Sequence, residues 1–237
     1  MISRYESDPA SAQFLGEEIG FITSMTLTHN NYYLITGSSS GTIQVWDIED
    51  RKLLQLHKRA HRTAIKAILV TNDSKTFISG SEKDDKTPCS IKIWNLEQGQ
   101  CIQTFEEAHL DSILSMTITP NDQYLISSGN DNHLRMWDVE NMKFLHLLSL
   151  DAGRADALVS TSNSKQVVSG YKEEIRFWDL ESRKCVRVLS KRADNVGVVT
   201  ALCLTRDDKL LIGGMADSSI RIWDMDSYKF LYSLAAP

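Results

Sequence analysis

Short runs of alternating apolar and polar residues recur along this chain, and each group of runs includes one that ends on a tryptophan. Ile113-Leu114-Ser115-Met116-Thr117-Ile118 is typical. Patterning of period two predicts sheet strands, because successive strand side chains point to opposite faces. Four such runs follow one another in each group. The first begins at Ile22, Ile65, Ile113, Ala155 and Val199. The second reads YYLITG, TFISG, YLISS, QVVSG and LLIGG; the third reads TIQVW, SIKIW, HLRMW, EIRFW and SIRIW. The fourth reads KLLQL, CIQTF, FLHLL, CVRVL and FLYSL. Between the first and second runs lie turns of one chemistry, THNN, TNDS, TPND, TSNS and TRDD, starting at Thr28, Thr71, Thr119, Thr161 and Thr205. Asn and Asp tolerate left-handed backbone and bond to neighbouring amides, which suits tight hairpins.

The tryptophans set the period. Trp46, Trp94, Trp137, Trp178 and Trp223 are separated by 48, 43, 41 and 45 residues, and no other Trp exists. Four precede Asp (Asp47, Asp138, Asp179, Asp224) and one precedes Asn95. From each first-run mark to a small residue (Thr36, Ser79, Ser127, Ser169, Gly213) is 14 residues in all five repeats. From that residue to the Trp takes 10 residues in repeats one, three and five, 15 in repeat two and 9 in repeat four. Self-similarity at this period denotes a repeat architecture. A single four-stranded meander cannot cover both of its faces, so the repeats must stack face to face. Radial stacking makes a propeller, whose blades leave only short edges. The expected fold is therefore all-β, a β-propeller of four-stranded blades. An N-terminal segment is expected over 1–17 and the array over 18–234, with blades near 18–57, 58–105, 106–149, 150–190 and 191–234.

With these motifs the chain resembles the WD-repeat β-propeller family over about residues 18 to 234. The Trp-Asp pairs match half of the family signature. The other half, a His before the first strand, matches Ala60-His61 and Ala108-His109, with Ala where the family usually has Gly. The resemblance implies a buried polar network in each blade, because a buried indole N–H needs an acceptor and a hydroxyl can relay to His and a carboxylate. His109, Ser127, Asp131 and Trp137 match it in full. Repeat two offers His61, Ser79 and Trp94, with Asp84 or Asp85 as the acid. Repeat one offers Glu18, Thr36, Ser40 and Trp46; repeat four Asp151, Ser169 and Trp178, with Lys172 or Glu173 in the acid position; repeat five Asn195, Gly213, Asp217 and Trp223. The expected role of these networks is structural.

The count departs from the family, whose members mostly have seven blades. Closing five blades needs about 72° between neighbours, against about 51° for seven. The fifth repeat supplies its own fourth strand, KFLYSL. The expectation is an incomplete or open ring, in a chain that is part of a longer protein or meets a partner at its ends, where apolar faces would be left uncovered.

Composition narrows the function. The 237 residues are 42% hydrophobic and 24% charged, with a net charge of −5. That balance argues against nucleic acid as the general partner. Cys89, Cys101, Cys185 and Cys203 show no metal spacing, so reduced thiols are expected. No apolar run is long enough for a membrane span, and the N-terminus has no signal-peptide core. The expected location is intracellular and cytoplasmic, with cytoskeletal, ciliary or nuclear assemblies also compatible.

No phosphate loop or nucleophile elbow is present. The HKRAH run, with His57 and His61, has zincin-like spacing but lacks the Glu and a helix. No catalytic residue, metal, cofactor or small-molecule substrate is expected. The function expected from the resemblance is a non-catalytic scaffold or adaptor within a multiprotein assembly, with other proteins as partners. A second reading is an RNA- or ribonucleoprotein-associated propeller using the basic loops Lys58-Arg59-His61-Arg62 and Lys191-Arg192. By position, the candidate partner-binding face comprises Phe21, Arg62, Leu110, Ser112, Asn130, Arg154 and Tyr171. The insertion Glu82 to Pro88 is expected to be a mobile, solvated loop.

Overall fold

In the computed structural model, residues 19–149 and 153–235 are described. They form five antiparallel sheets of four strands each, with consecutive strands as neighbours in every sheet. Blade 1 is β1(Ile22–Leu27), β2(Tyr33–Ser38), β3(Ile43–Asp47) and β4(Lys52–His57). Blade 2 is β5(Ile65–Val70), β6(Thr76–Ser81), β7(Ser90–Asn95) and β8(Gln100–Glu106). Blade 3 is β9(Ile113–Ile118), β10(Tyr124–Gly129), β11(Leu134–Asp138) and β12(Lys143–Ser149). Blade 4 is β13(Ala157–Ser160), β14(Gln166–Gly170), β15(Glu174–Asp179) and β16(Lys184–Ser190). Blade 5 is β17(Val199–Leu204), β18(Leu210–Met215), β19(Ser219–Asp224) and β20(Phe230–Ala235), preceded by a single helical turn, α1(Lys191–Asp194). That turn departs from a purely β chain; Ser190 caps it, its hydroxyl accepting from the Ala193 amide. β13 is also shorter than expected: Ala155 lies two residues before it, buried, after Gly153 at φ 85°.

The first-to-second-strand turns are built identically. The hydroxyls of Thr28, Thr71, Thr119, Thr161 and Thr205 donate to Asn30, Asp73, Asn121, Asn163 and Asp207 at 2.6–2.8 Å. Each also accepts the amide five residues on, at 3.0–3.1 Å. The following residue, Asn31, Ser74, Asp122, Ser164 or Asp208, takes left-handed backbone. The residue after each Trp has one job as well. Asp47, Asn95, Asp138, Asp179 and Asp224 each accept the amide three residues on, at 2.7–2.8 Å, closing the third-to-fourth-strand turn. An amide oxygen does this as well as a carboxylate, which is why Asn95 fits the series. The pairing of third with fourth strand shifts register at every Trp, a bulge that re-aims the indole.

Four apolar cores hold the array, one at each junction between consecutive blades. Ile35, Ile43 and Val45 of blade 1 meet Ile65, Phe77 and Trp94 of blade 2. Ile78, Ile91 and Ile93 meet Ile113, Leu125 and Trp137. Ile126, Leu134 and Met136 meet Leu158, Val167 and Trp178. Val168, Ile175 and Phe177 meet Val199, Leu211 and Trp223. Each blade thus has a leading face carrying its Trp and a trailing face of aliphatic and aromatic residues. Burial of this surface is the main stabilising contribution, at about 25 cal/mol per Å². The first strands pack in succession, β1 on β5, β5 on β9, β9 on β13 and β13 on β17. Among the described residues β17 has no comparable packing against β1, so the propeller is open.

Candidate functional site

The buried networks vary between blades. In blade 3 the Trp137 indole N–H donates to Ser127 Oγ at 2.9 Å, and Ser127 lies 2.8 Å from His109 Nε2. His109 Nδ1 lies 2.9 Å from Asp131 Oδ1. A carboxylate only accepts, so the relay runs from indole to hydroxyl, imidazole and carboxylate. Arg135, absent from the sequence reading, adds a 2.6 Å ion pair to Asp131 Oδ2. Burial raises the Asp131 pKa, but hydrogen bonds from His109 and Arg135 outweigh it and hold the carboxyl below its usual range. Burial lowers the His109 pKa, against the pull of Asp131.

Blade 2 repeats the first three members. Trp94 donates to Ser79 at 2.9 Å, and Ser79 lies 2.7 Å from His61 Nε2. The fourth member is neither Asp84 nor Asp85 but Ser90, whose Oγ lies 2.9 Å from His61 Nδ1. Asp84 instead accepts the amides of Lys86 and Thr87 and so shapes its own loop. Burial, together with the Lys92 charge, pushes the His61 pKa down to about 3.

Blade 4 substitutes a tyrosine. Trp178 donates to Ser169 at 2.7 Å, and Ser169 donates to the Tyr171 hydroxyl at 3.3 Å. Tyr171 is 4% exposed, which corrects its assignment to the open face. Burial raises its pKa to about 12, so the phenol stays protonated. Glu173 is paired with Lys191 instead of joining this network. In blade 5, Gly213 carries no hydroxyl, and the Trp223 indole donates to the Asp194 carbonyl at 2.8 Å. Asp217 binds Ser219 and Arg221 there, while Asn195 caps α1 in left-handed backbone. In blade 1 the Thr36 hydroxyl faces Gln44, while Ser40 joins Ser38, Thr42 and the Ile19 carbonyl. Trp46 is half-buried, and Glu18 and Asp151 lie outside the described residues.

The remaining rim residues divide. Phe21, Arg62, Leu110, Asn130 and Arg154 are exposed. Asn130 is tied to Asp111 at 2.8 Å and Arg154 to Asp156 at 2.6 Å. Ser112 is half-buried and accepts the Lys83 amide at 3.0 Å. Lys83 Nζ also donates to the Leu110 carbonyl at 2.7 Å. The insertion that the sequence suggested was a free loop is thereby anchored on blade 3, because its backbone amide and ammonium find acceptors on the neighbouring loop. A groove of about 680 Å³ opens on this rim beside blade 4, lined by Arg154, Asp156, Tyr171, Glu173, Glu174 and Arg176.

Two members of the basic loops are already engaged. His61 is buried, and Lys191 is ion-paired with Glu173 at 2.8 Å. His57 packs on the Trp94 ring and lies 3.1 Å from Gln55. Among the described residues no group of three or more His, Cys, Asp or Glu side chains is placed to hold a metal. No helix among them is long and apolar enough to cross a membrane.

Five stacked four-stranded blades, each with a Trp held from its third strand, define a WD-repeat β-propeller. The model for the WD domain, G-beta repeat, matches residues 183–224, which run from β16 of blade 4 to β19 of blade 5, so the sequence repeat straddles two blades. The model described as Nucleolar protein 10-like, N-terminal domain, matches residues 5–137, more than half of the chain. The chain belongs to this family of Nucleolar protein 10-like N-terminal propeller domains. No individual curated protein matches it.

Proposed function

We propose that this chain is a non-catalytic docking scaffold within a multiprotein assembly, binding its partner through the rim that carries the loops before each first strand. The observation that carries this reading is the isolation of Phe21 and Leu110, two large apolar side chains held in solvent on that rim. Arg62 and Arg154 are exposed in the equivalent loops of blades 2 and 4, and the groove beside blade 4 adds shape. Arginine is enriched among the residues that dominate binding at protein interfaces. Scaffolding is also the usual role of WD-repeat propellers. The indoles of blades 2 to 5, the histidines of blades 2 and 3 and the Asp131 carboxylate are engaged in hydrogen bonds within the array, which supports a structural use for them.

The family match favours a nucleolar setting, and with it a ribonucleoprotein assembly as the larger particle. In this reading protein contacts, not the basic loops, hold the propeller there. The test is co-purification from the source cells with the tagged full chain. Phe21→Asp with Leu110→Asp should reduce partner recovery at least tenfold with unchanged thermal unfolding. Undiminished recovery, or recovery that ribonuclease alone abolishes, rules out the rim as the docking site.

A further inference from the structure

Blade 2 keeps the donors of a carboxylate site and lacks the carboxylate. In blade 3, Asp131 accepts from the Leu110 amide at 2.9 Å, from His109 Nδ1 at 2.9 Å and from Arg135 at 2.6 Å. By count back from the Trp, Pro88 stands in blade 2 where Asp131 stands in blade 3, six residues before the indole. Arg62 follows His61 as Leu110 follows His109, and its amide has no hydrogen-bond partner among the described residues. Lys92, two residues before Trp94, holds the position of Arg135.

That third-strand cation is paired in every other blade that has one. Arg135 binds Asp131 at 2.6 Å, Arg176 binds Glu174 at 2.8 Å and Arg221 binds Asp217 at 2.7 Å. Lys92 makes no ion pair among the described residues. Its ammonium donates to the Ala60 carbonyl at 2.7 Å, and its remaining hydrogens have no acceptor there. Ser90 is short of an acceptor as well. Trp94 donates to Ser79, Ser79 donates to His61 Nε2, and His61 Nδ1 donates to Ser90. The opposite tautomer would strand the Ser79 hydrogen in the core. The Ser90 hydroxyl hydrogen therefore ends the relay with no acceptor among the described residues.

These donors meet at one cavity. It measures about 530 Å³, between the loop before β5, the insertion and the end of β8, and Arg62, Ser90 and Lys92 line it. Glu106 and Glu107 line it too, and no ion pair joins either to Lys92 or Arg62 among the described residues. Ser90 is buried and Lys92 half-buried, whereas both glutamates are exposed, so the donors lie deeper than the carboxylates. An anion that enters must pass two negative charges, which favours one that carries a cation beside it.

We infer that this cavity binds the side-chain carboxylate of an Asp or Glu of the partner protein, which completes blade 2 as Asp131 completes blade 3. A basic residue next to that acid lies against Glu106 and Glu107. RNA presents successive phosphates with no such cation and meets repulsion at the same wall. The inference rests on the rim reading for the direction of approach, since Arg62 lies on that rim.

The test titrates acetyl-Asp-Lys-amide into the full chain and follows the Arg62 backbone amide by NMR. A saturable shift is expected. Affinity should fall about tenfold or more for acetyl-Asn-Lys-amide, and again in Lys92→Met, as a charge-assisted hydrogen bond is lost. Ser90→Asp, which supplies an acid from within, should abolish the shift. No shift, equal affinity for the two peptides, or unchanged binding to folded Lys92→Met overturns the proposal. If Lys92→Met does not fold, the two peptides on the unaltered chain decide. Oligouridylate that moves the same amide at lower concentration than the Asp peptide also overturns it and makes nucleic acid the occupant. Failure of the rim reading shows separately. Partner recovery that survives Phe21→Asp with Leu110→Asp removes that reading, while a dipeptide shift that Lys92→Met weakens still supports the cavity.

Discussion

Blades 2 and 3 solve one problem with different fourth partners. Each must satisfy a buried indole N–H through a serine and a neutral histidine. Blade 3 ends the relay on a carboxylate that is itself charged and paired with Arg135; blade 2 ends it on the neutral hydroxyl of Ser90. A relay ending on a charge is intolerant of change, because removing the carboxylate leaves the part-buried Arg135 without its counter-charge and the His109 N–H without an acceptor. A relay ending on a hydroxyl loses less when cut. The difference shows that the histidine and serine define the blade device, while the terminal acid is replaceable.

The comparison is most directly broken at its fourth partners. Asp131→Ala should destabilise the chain by about 2–4 kcal/mol, the cost of leaving the part-buried Arg135 and the buried His109 N–H without their acceptor, while Ser90→Ala should cost about 1–2 kcal/mol. Urea unfolding of the two variants measures both. Equal losses would mean that the Asp131 charge adds nothing beyond a hydrogen bond.

Acid sharpens the same contrast. The folded His61 pKa is about 3, depressed from 6.5, so the unfolded chain binds its proton first. The stability it permits is present above pH 6.5 and is lost progressively as pH falls toward 3. Between pH 6.5 and 5 this histidine should cost about 2 kcal/mol. His61→Gln should remove that slope from stability measured against pH. His109→Gln should remove less, because Asp131 opposes the depression of the His109 pKa. An identical slope in both variants would erase the distinction between the two blades.

Blade 4 gives the smallest effect. Tyr171→Phe removes one 3.3 Å hydrogen bond from Ser169 and leaves the ring packing. A loss of about 0.5–1.5 kcal/mol is expected in the same unfolding assay. A loss as large as that of Asp131→Ala would make the phenol a full replacement for the histidine and carboxylate.

Much of this was legible in one dimension. The Trp series, the 14-residue spacing and the Thr-led turns act within a few residues of one another, and local chemistry reads directly from order. Asn95 is legible in the same way, since its turn depends only on an oxygen three residues before an amide. Ser90 was hidden because it serves a histidine 29 residues earlier, across an insertion that blurs the spacing. Tyr171 was misplaced for a related reason. Its position by count is a rim loop, but the missing histidine leaves a space that its ring fills. In blade 5 no side chain marks the indole's acceptor, because a backbone carbonyl is common to every residue.

The sequence by itself determined the strands, the turns and the five-fold count, because hydrophobic period and hairpin chemistry are properties of neighbours along the chain. It also placed equivalent apolar residues on both faces of every blade. Only the tertiary structure decided which of them are buried. Ile22 and Ile65, or Ile220 and Ile175, are interchangeable in sequence, and their different fates follow from whether another blade stands beside them. Burial is a property of what lies across the face, and stacking order in space sets it.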